Sequence, residues 1–240
     1  MTLADDISPR VQQVSHLDLR AEDWRWPFAQ ERRAEIDAHF ARLREKKPQL
    51  WNGRVLLARE PRFSESVLRA SYFETDFASF LAWRDWGFPD HSVFNGFGMG
   101  ALRGHDGGFV LGEMAAHTAN AGRIYFPSGT PDPNDRRHCR VDLAGSVARE
   151  VTEETGLTAA DYVADPHWTA VVTGQSIALI RILQAAEPAE TLCSRIARHI
   201  AAETQPELAG THIVRGAQDV SPAMPGFVAA FIAAQAQFGG

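Results

Sequence analysis

The chain has 240 residues, of which 45% are hydrophobic and 22% are charged, and its formal net charge is −6. This composition is typical of a globular protein with one elaborated domain or two small ones, and the charge argues against a surface that neutralises nucleic-acid phosphates. Two distant cysteines, an acidic N-terminus and the lack of an apolar run long enough to span a membrane lead us to expect a soluble cytoplasmic protein.

The first 90 residues predict an α/β segment. Residues 1–28 lack a regular pattern, and we expect their aromatic patch, DWRWPF, to pack on the rest of the protein. Residues 29–46 predict an amphipathic helix that ends before Pro48. GRVLLARE and SESVLRASYF predict two strands joined by EPRF. TDFASFLAWRDWG predicts a helix capped by Thr75 or Asp76 and ended by Gly87.

The rest of the chain predicts a mixed sheet that carries helices. The predicted strands are FNGFGMGALRG, GGFVLGEM, GRIYF, HWTAVVTG, QSIALIRIL and THIVRG. The predicted helices are DLAGSVAREVTEET, EPAETLCSRIARHIAAE and PGFVAAFIAAQAQF. GFGMGA matches a loose dinucleotide-binding pattern, but a turn rather than a helix follows it. We therefore assign its glycines to close backbone packing in a sheet.

Three carboxylates gather near the end of one predicted helix. Glu150, Glu153 and Glu154 follow i, i+3 and i+4 spacing, so they share one helix face. Like charges at these spacings oppose each other by roughly 0.2–0.5 kcal/mol per pair, and the negative end of the helix dipole adds to the cost. A hard divalent cation would reverse each of these effects. The alternative is a solvated helix face that tolerates small repulsions.

The string REVTEETGL, Arg149 to Leu157, resembles the second half of the Nudix box, R-E-U-x-E-E-x-G-U with U aliphatic, at all seven defined positions. The first half departs from the pattern, because Asp135 and Val141 stand where the family has Gly and Glu. Gly129 in FPSGT is similar to the family's glycine entry but lies twenty residues before Arg149 instead of fourteen. We infer an insertion of about six residues before the helix, with Asp142 as one candidate for the missing Glu.

The resemblance implies a Nudix-like α/β/α sandwich with a mixed β-sheet over residues 91–240, preceded by an N-terminal α/β extension over residues 1–90. It also implies hydrolysis of a nucleoside diphosphate linked to another group, with Mg²⁺ or Mn²⁺ as cofactor and water as nucleophile. The implied metal ligands are Glu150, Glu153 and Glu154, and the implied catalytic residues are Arg149, Glu150 and Glu153. Arg149 would orient Glu150, and the base would be Glu150 or a carboxylate on a later loop.

The implied substrate is a small nucleotide-type molecule, with neither nucleic acid nor membrane as partner. Gly122–Gly129 is similar to part of the signature of the coenzyme A diphosphatase branch, and WNG with YFETDFASFLAWRDW distantly resembles a branch that acts on UDP-sugars. Nucleotide-sugars, dinucleotides and coenzyme A derivatives therefore all stay open. The expected substrate-binding residues are Gly129, His117, Asn120, Arg123, Arg136 and Arg137, and the alternative for them is ordinary loop chemistry.

Two further expectations concern the extension and the class of protein. The extension would shape the substrate pocket or form the contact of a homodimer. The alternative to an enzyme is a non-hydrolytic Nudix domain that senses nucleotides or mediates an interaction. Such modules usually lose carboxylates of the box, whereas this chain retains all three.

Overall fold

The structure, a computed structural model, describes residues 8–238 of the chain. Its helices within these residues are α1 (Pro27–Glu31), α2 (Arg33–Lys46), α3 (Phe77–Asp85), α4 (Leu143–Thr155), α5 (Ala189–Ala202) and α6 (Gly226–Phe238). Its strands are β1 (Arg10–Val14), β2 (His16–Glu22), β3 (Arg54–Ser64), β4 (Val67–Asp76), β5 (Val93–Arg103), β6 (Phe109–Met114), β7 (Ile124–Tyr125), β8 (Ser128–Gly129), β9 (Arg136–Arg137), β10 (Arg140–Val141), β11 (Tyr162–Ala164), β12 (Trp168–Thr173), β13 (Ser176–Ala185) and β14 (Leu208–Val214).

The strands form one mixed sheet. Its longest path runs β1-β12-β13-β5-β3-β4-β2-β10-β9, while β6 and β8 branch from β5 and β11 pairs with β13. The pairs β5–β13 and β2–β4 are parallel, whereas β3 pairs antiparallel with both β4 and β5. The predicted α/β class with a mixed sheet is therefore confirmed. Every helix among residues 8–238 falls short of the length and apolar character that crossing a membrane requires.

Strand β5 carries helices on both faces. A Cβ atom at Gly98 would lie 2.5 Å from Val147 of α4, and one at Gly100 would lie 2.6 Å from Val151. Only glycine lets the helix backbone approach this closely, which confirms that the glycines of GFGMGA serve packing. On the opposite face of β5, Phe97 packs edge-on against a phenylalanine of α6, with ring centroids 5.6 Å apart.

The aromatic patch of the N-terminal segment is buried, as predicted. The Trp26 side chain is 3% exposed and its ring packs against Phe73 and Trp83 at centroid distances of 5.6 and 6.0 Å. These rings belong to a hydrophobic cluster confined to residues 26–93, whereas Leu19 and Tyr72 pack in the larger core with residues from the rest of the chain. The domain boundary near residue 90 stays a prediction.

The prediction of irregular structure over residues 1–28 is wrong for residues 10–14 and 16–22, which form strands, and for residues 27–28, which begin helix α1. Residues 10–14 pair antiparallel with β12, and residues 16–22 pair parallel with β4. Both strands depend on partners more than 40 residues away in sequence, so the local sequence carries little sign of them. Residues 1–7, which the same prediction covers, lie outside the described part of the chain.

Two other connections differ from the prediction. EPRF is part of β3 rather than a link between strands, and the reversal occurs at Glu65 and Ser66, which both have positive φ. Pro61, which has no N–H for the ladder, lies where the register between β3 and β4 shifts, and such irregularities accommodate proline. The predicted helix over 29–46 is two helices, because the chain breaks at Arg32.

Candidate functional site

Helix α4 is bounded by a capping residue at each end, Asp142 before it and Gly156 after it. The Asp142 side chain accepts a hydrogen bond of 2.9 Å from the backbone N–H of Gly145, and Gly156 adopts a left-handed conformation with φ of 72° just after the last helical residue. Asp142 is therefore the helix cap. It lies eight residues before Glu150, or ~12 Å along the helix axis, so the structure does not bring it to the three glutamates.

The three glutamates lie in different environments. The Glu154 residue is 6% exposed and the Glu150 side chain 16% exposed, whereas the Glu153 side chain is 60% exposed. Glu154 Oε1 accepts a hydrogen bond of 3.1 Å from the backbone N–H of Ser128. A Cβ atom at Gly129 would lie 2.5 Å from Glu150 Oε1, so a larger residue there would displace this carboxylate. The structure therefore brings Glu150 and Glu154 to β8 and leaves Glu153 towards solvent.

Burial and neighbouring negative charges disfavour the ionised forms of Glu150 and Glu154 when no cation is bound. Burial raises the pKa of Glu150 to about 7 against the opposing effect of Arg149, and repulsion by Glu153 adds to the increase. Burial raises the pKa of Glu154 to about 8, with a smaller contribution from the charge of Glu150. A bound cation would stabilise both carboxylates in their charged form.

Arg149 links the glutamates to a buried carboxylate that the sequence analysis did not identify as functional. Arg149 Nη1 donates to Glu150 Oε1 at 2.7 Å and to Glu153 Oε2 at 3.4 Å. Its Nη2 lies 3.3 and 3.1 Å from the two carboxylate oxygens of Asp135, a residue that is 4% exposed. Asp135 thus holds the guanidinium from the side opposite Glu150. Its only sequence signal is its place in the segment DPND.

The inserted segment before α4 is ordered rather than a plain loop. Pro133–Asp135 form a 3₁₀ turn with a capping box between Asp132 and Asp135. The next residues form the β9–β10 hairpin, and β10 pairs with β2. The local sequence does not indicate this hairpin, because its hydrogen bonds depend on pairing with β2.

The expected substrate-binding residues fall into two groups. Gly129, Asn120 and Arg123 line one cleft of about 370 Å³, beside Ser128. Arg136, Arg137 and His117 do not line this cleft. Arg136 Nη1 donates to Asp23 at 3.2 Å and Arg137 Nη1 donates to the carbonyl of Asn134 at 2.8 Å, while the His117 carbonyl accepts from a glutamine of the N-terminal segment. Their substrate-binding role stays a prediction.

The sequence analysis also did not identify several residues that border the site. Glu207, an exposed residue between α5 and β14, lies near enough for its charge to raise the pKa of Glu150, Glu154 and Tyr125. No sequence motif marks it. Nor did the sequence analysis identify the aromatic walls of the cleft, which are Phe77, Phe80, Phe97 and Phe227.

The donor atoms suit a hard divalent cation. Glu150 and Glu154 offer carboxylate oxygens only, and Mg²⁺ usually takes one or two protein carboxylates and completes its shell with water and substrate phosphate. Over residues 8–238, no three His, Cys, Asp or Glu side chains already form a group that could hold a metal ion. Arg149 occupies one oxygen of Glu150, so Glu154 and the other Glu150 oxygen are the available ligands.

Comparisons with known proteins give distant similarity only. No family model and no curated protein matches the sequence. The solved structures that are similar to it include a Nudix hydrolase from M. smegmatis, RenU, at 20% identity, and the MutT protein from Methanosarcina mazei Go1, at 19% identity. Each alignment covers 58% of this chain. It covers 84% of the RenU chain, with a TM-score of 0.37, and 90% of the MutT chain, with a TM-score of 0.36. What this chain does is therefore inferred from its own residues.

Proposed function

We propose that the protein is a Nudix-type hydrolase that cleaves the pyrophosphate bond of a nucleoside diphosphate linked to another group, with Mg²⁺ or Mn²⁺ as cofactor. One observation carries this proposal. The buried carboxylate of Glu154 and the largely buried one of Glu150 lie together beside the backbone of Ser128 and Gly129, within a segment that matches the second half of the Nudix box. Burying two carboxylates is costly unless a cation accompanies them, and Arg149 contacts only one of the two.

Glu150 and Glu154 would hold the metal, with Glu153 assisting from the solvent-exposed side. A divalent ion there would supply the positive charge that lets a polyanionic pyrophosphate approach an acidic helix, and it would lower the pKa of a water nucleophile. The pKa values of about 7 and 8 describe the two carboxyls without metal. With a cation bound, both groups would be ionised at neutral pH.

The side chains around this pair orient it. Arg149 bonds Glu150 on one side and Asp135 on the other, which restricts the rotamers of Glu150. Proton acceptance from the attacking water falls to Glu150 or to Glu207, the carboxylate on the later segment whose charge acts on Glu150. Glu207→Gln distinguishes the two. If Glu207 is the base, the variant lowers kcat and keeps metal binding, whereas an unchanged kcat assigns the base to Glu150.

Hydrolysis of a panel of nucleoside diphosphate derivatives tests the proposal. The panel contains nucleotide-sugars, dinucleotides and a coenzyme A derivative, assayed with Mg²⁺, with Mn²⁺ and with EDTA. We expect at least one compound to be cleaved, EDTA to abolish cleavage, and Glu154→Gln to lose most activity. Glu45→Gln, a change at an exposed position of α2, is the matched control and should retain wild-type turnover. Unchanged turnover in Glu154→Gln would overturn the assignment of the site to α4.

The alternative, a non-hydrolytic nucleotide-sensing or interaction module, has its own signature in the same experiment. A chain of that class would bind a member of the panel without releasing product under any metal condition. We favour the hydrolase, because modules of the alternative class usually lose carboxylates of the box, whereas Glu150, Glu153 and Glu154 are all present.

A further inference from the structure

The cleft beside the carboxylates has aromatic walls from distant parts of the chain. Phe77 and Phe80 of α3 form one pair, with ring centroids 5.8 Å apart, and Phe97 of β5 packs edge-on against Phe227 of α6. All four rings line the same space of about 370 Å³. Its size falls at the lower end of the ~300–1,000 Å³ typical of small-molecule sites, and mostly apolar walls are typical of such sites.

The wall built by α3 is rigidly held. The Asp76 side chain caps the helix by accepting from the Ser79 N–H at 3.0 Å, and Arg33 of α2 donates to the same carboxylate at 2.9 Å. Trp83, one turn after Phe80, is completely buried. A preformed wall of this kind loses little conformational entropy when a planar ligand packs against it.

Polar groups form the rest of the lining, and they include Asn120, Thr130 and Arg84, which forms an ion pair with Asp85. Asn95 and Ser176, paired across β5 and β13, are half-buried and offer both donors and acceptors to the cleft. Arg123 is exposed at its rim, and no carboxylate among residues 8–238 forms an ion pair with it. This arrangement, an apolar space with a few polar groups and one unpaired cation, matches a flat heteroaromatic ring that carries a phosphate.

The cleft and the carboxylate pair share a border. Ser128 and Gly129 line the cleft, and the same two residues contact Glu154 and Glu150. Tyr125, which also lines the cleft, accepts a hydrogen bond from Asn120 Nδ2 at 3.1 Å; burial raises its pKa, and the charge of Glu154 adds to the increase. A ligand whose ring occupies the cleft would therefore extend its phosphates along Ser128 and Gly129 towards the carboxylates.

We propose that this cleft binds the nucleobase of the substrate, held between the phenylalanines of α3 and those of β5 and α6, with Arg123 on the adjacent phosphate. The choice of nucleotide as ligand rests on the proposed function; the placement of the base rests on the cleft. Helix α3 belongs to the first 90 residues, so that segment contributes one wall of the specificity pocket. A sugar ring fits less well between the aromatic walls, because the four phenylalanine rings offer its hydroxyls no hydrogen-bond partner.

Calorimetric titration of the intact protein in EDTA tests the placement without requiring hydrolysis. The probes are the adenosine, guanosine, uridine and cytidine 5′-monophosphates, with ribose 5-phosphate as the base-free comparison. We expect at least one nucleotide to bind at least tenfold more tightly than ribose 5-phosphate, which is the lower end of what stacking of one base contributes. Equal affinity for all five probes would overturn the proposal.

Three variants refine the test. Phe227→Leu and Phe77→Leu, at half-buried positions, should each weaken nucleotide binding by about tenfold and leave ribose 5-phosphate unchanged. Phe63→Leu, on β3 away from the cleft, is the matched aromatic control and should bind like wild type. Wild-type affinity in both cleft variants would overturn the proposal, provided that their melting temperatures show a folded protein.

The outcomes separate this proposal from the proposed function. Base-dependent binding without hydrolysis of any panel compound would retain the base cleft and refute the hydrolase. Metal-dependent hydrolysis, with no preference for binding nucleotide over ribose 5-phosphate, would support the hydrolase and refute the base cleft.

Discussion

Metal-free stability should depend on pH through Glu154. Its pKa is about 8 in the folded protein against an ordinary value of 4.5, chiefly because the carboxyl is buried. Between these two values the native state binds a proton that the unfolded chain has released. Stability therefore falls as pH rises through this window, by at most ~1.4 kcal/mol per pH unit for one group. Below pH 4.5 both states are protonated, and above pH 8 the loss is complete.

Glu154→Gln removes this titration and keeps the shape of the side chain. Between pH 5 and pH 8 the free energy of unfolding of the wild type should fall by at most ~4 kcal/mol more than that of the variant. In a chain of this size this corresponds to a difference in melting temperature of roughly 8–16 °C at most. The difference is largest at pH 8, where the variant should be the more stable protein.

Urea unfolding in EDTA at pH 5, 6, 7 and 8 measures this difference. The free energies of unfolding of wild type and Glu154→Gln should nearly coincide at pH 5 and diverge steadily towards pH 8. Glu150 titrates in both proteins, with a pKa of about 7 in the wild type, so the comparison of the two measures Glu154 together with its coupling to Glu150. Glu45→Gln should follow the wild type throughout. A difference that does not change with pH would refute the reasoning that burial suppresses ionisation of Glu154.

Three further predictions concern the groups that surround the carboxylates. Asp135→Asn weakens the buried partner of Arg149, so urea unfolding should show a loss of ~1.5–3 kcal/mol and steady-state kinetics a lower kcat with little change in KM. An unchanged kcat would limit this residue to a structural role. Gly129→Ala should retain the fold, because only a flexible carboxylate must move, but lower kcat by roughly ten- to a hundredfold; wild-type kcat would show that the close approach is not needed. Alanine at both Arg136 and Arg137 should raise KM roughly ten- to a hundredfold if they bind substrate, whereas a wild-type KM would restrict them to their observed contacts.

Local signals were sufficient where an element carries its own caps and pattern. Helix α4 begins after Asp142 and ends before Gly156, as its sequence predicts, and α3 begins after Asp76. The glycines of β5 were assigned to packing because a turn follows them, and their close approach to α4 confirms this. In each case the deciding interactions join residues within a few positions of one another or follow from the absence of a side chain.

Local sequence patterns do not predict contacts between residues that are far apart in the chain. Strand β1 forms only because β12, more than 150 residues later, offers an edge. The contact between Asp135 and Arg149 depends on the fold of an inserted segment that no pattern describes. The cleft combines α3 and α6, whose phenylalanines are indistinguishable from core residues in sequence. Which apolar side chains line a cavity is decided by tertiary packing, and hydrophobic periodicity does not report it.

The response of the melting temperature to Mg²⁺ tests most directly whether Glu150 and Glu154 form a metal site. A cation that binds only the folded protein stabilises it by RT ln(1 + [L]/Kd), ~2.7 kcal/mol at a hundredfold excess over Kd, or roughly 5–11 °C in a chain of this size. We predict a rise of this kind in the wild type and in Glu45→Gln, and a much smaller rise in Glu150→Gln and Glu154→Gln. An equal rise in all four proteins would place the metal elsewhere and contradict the account.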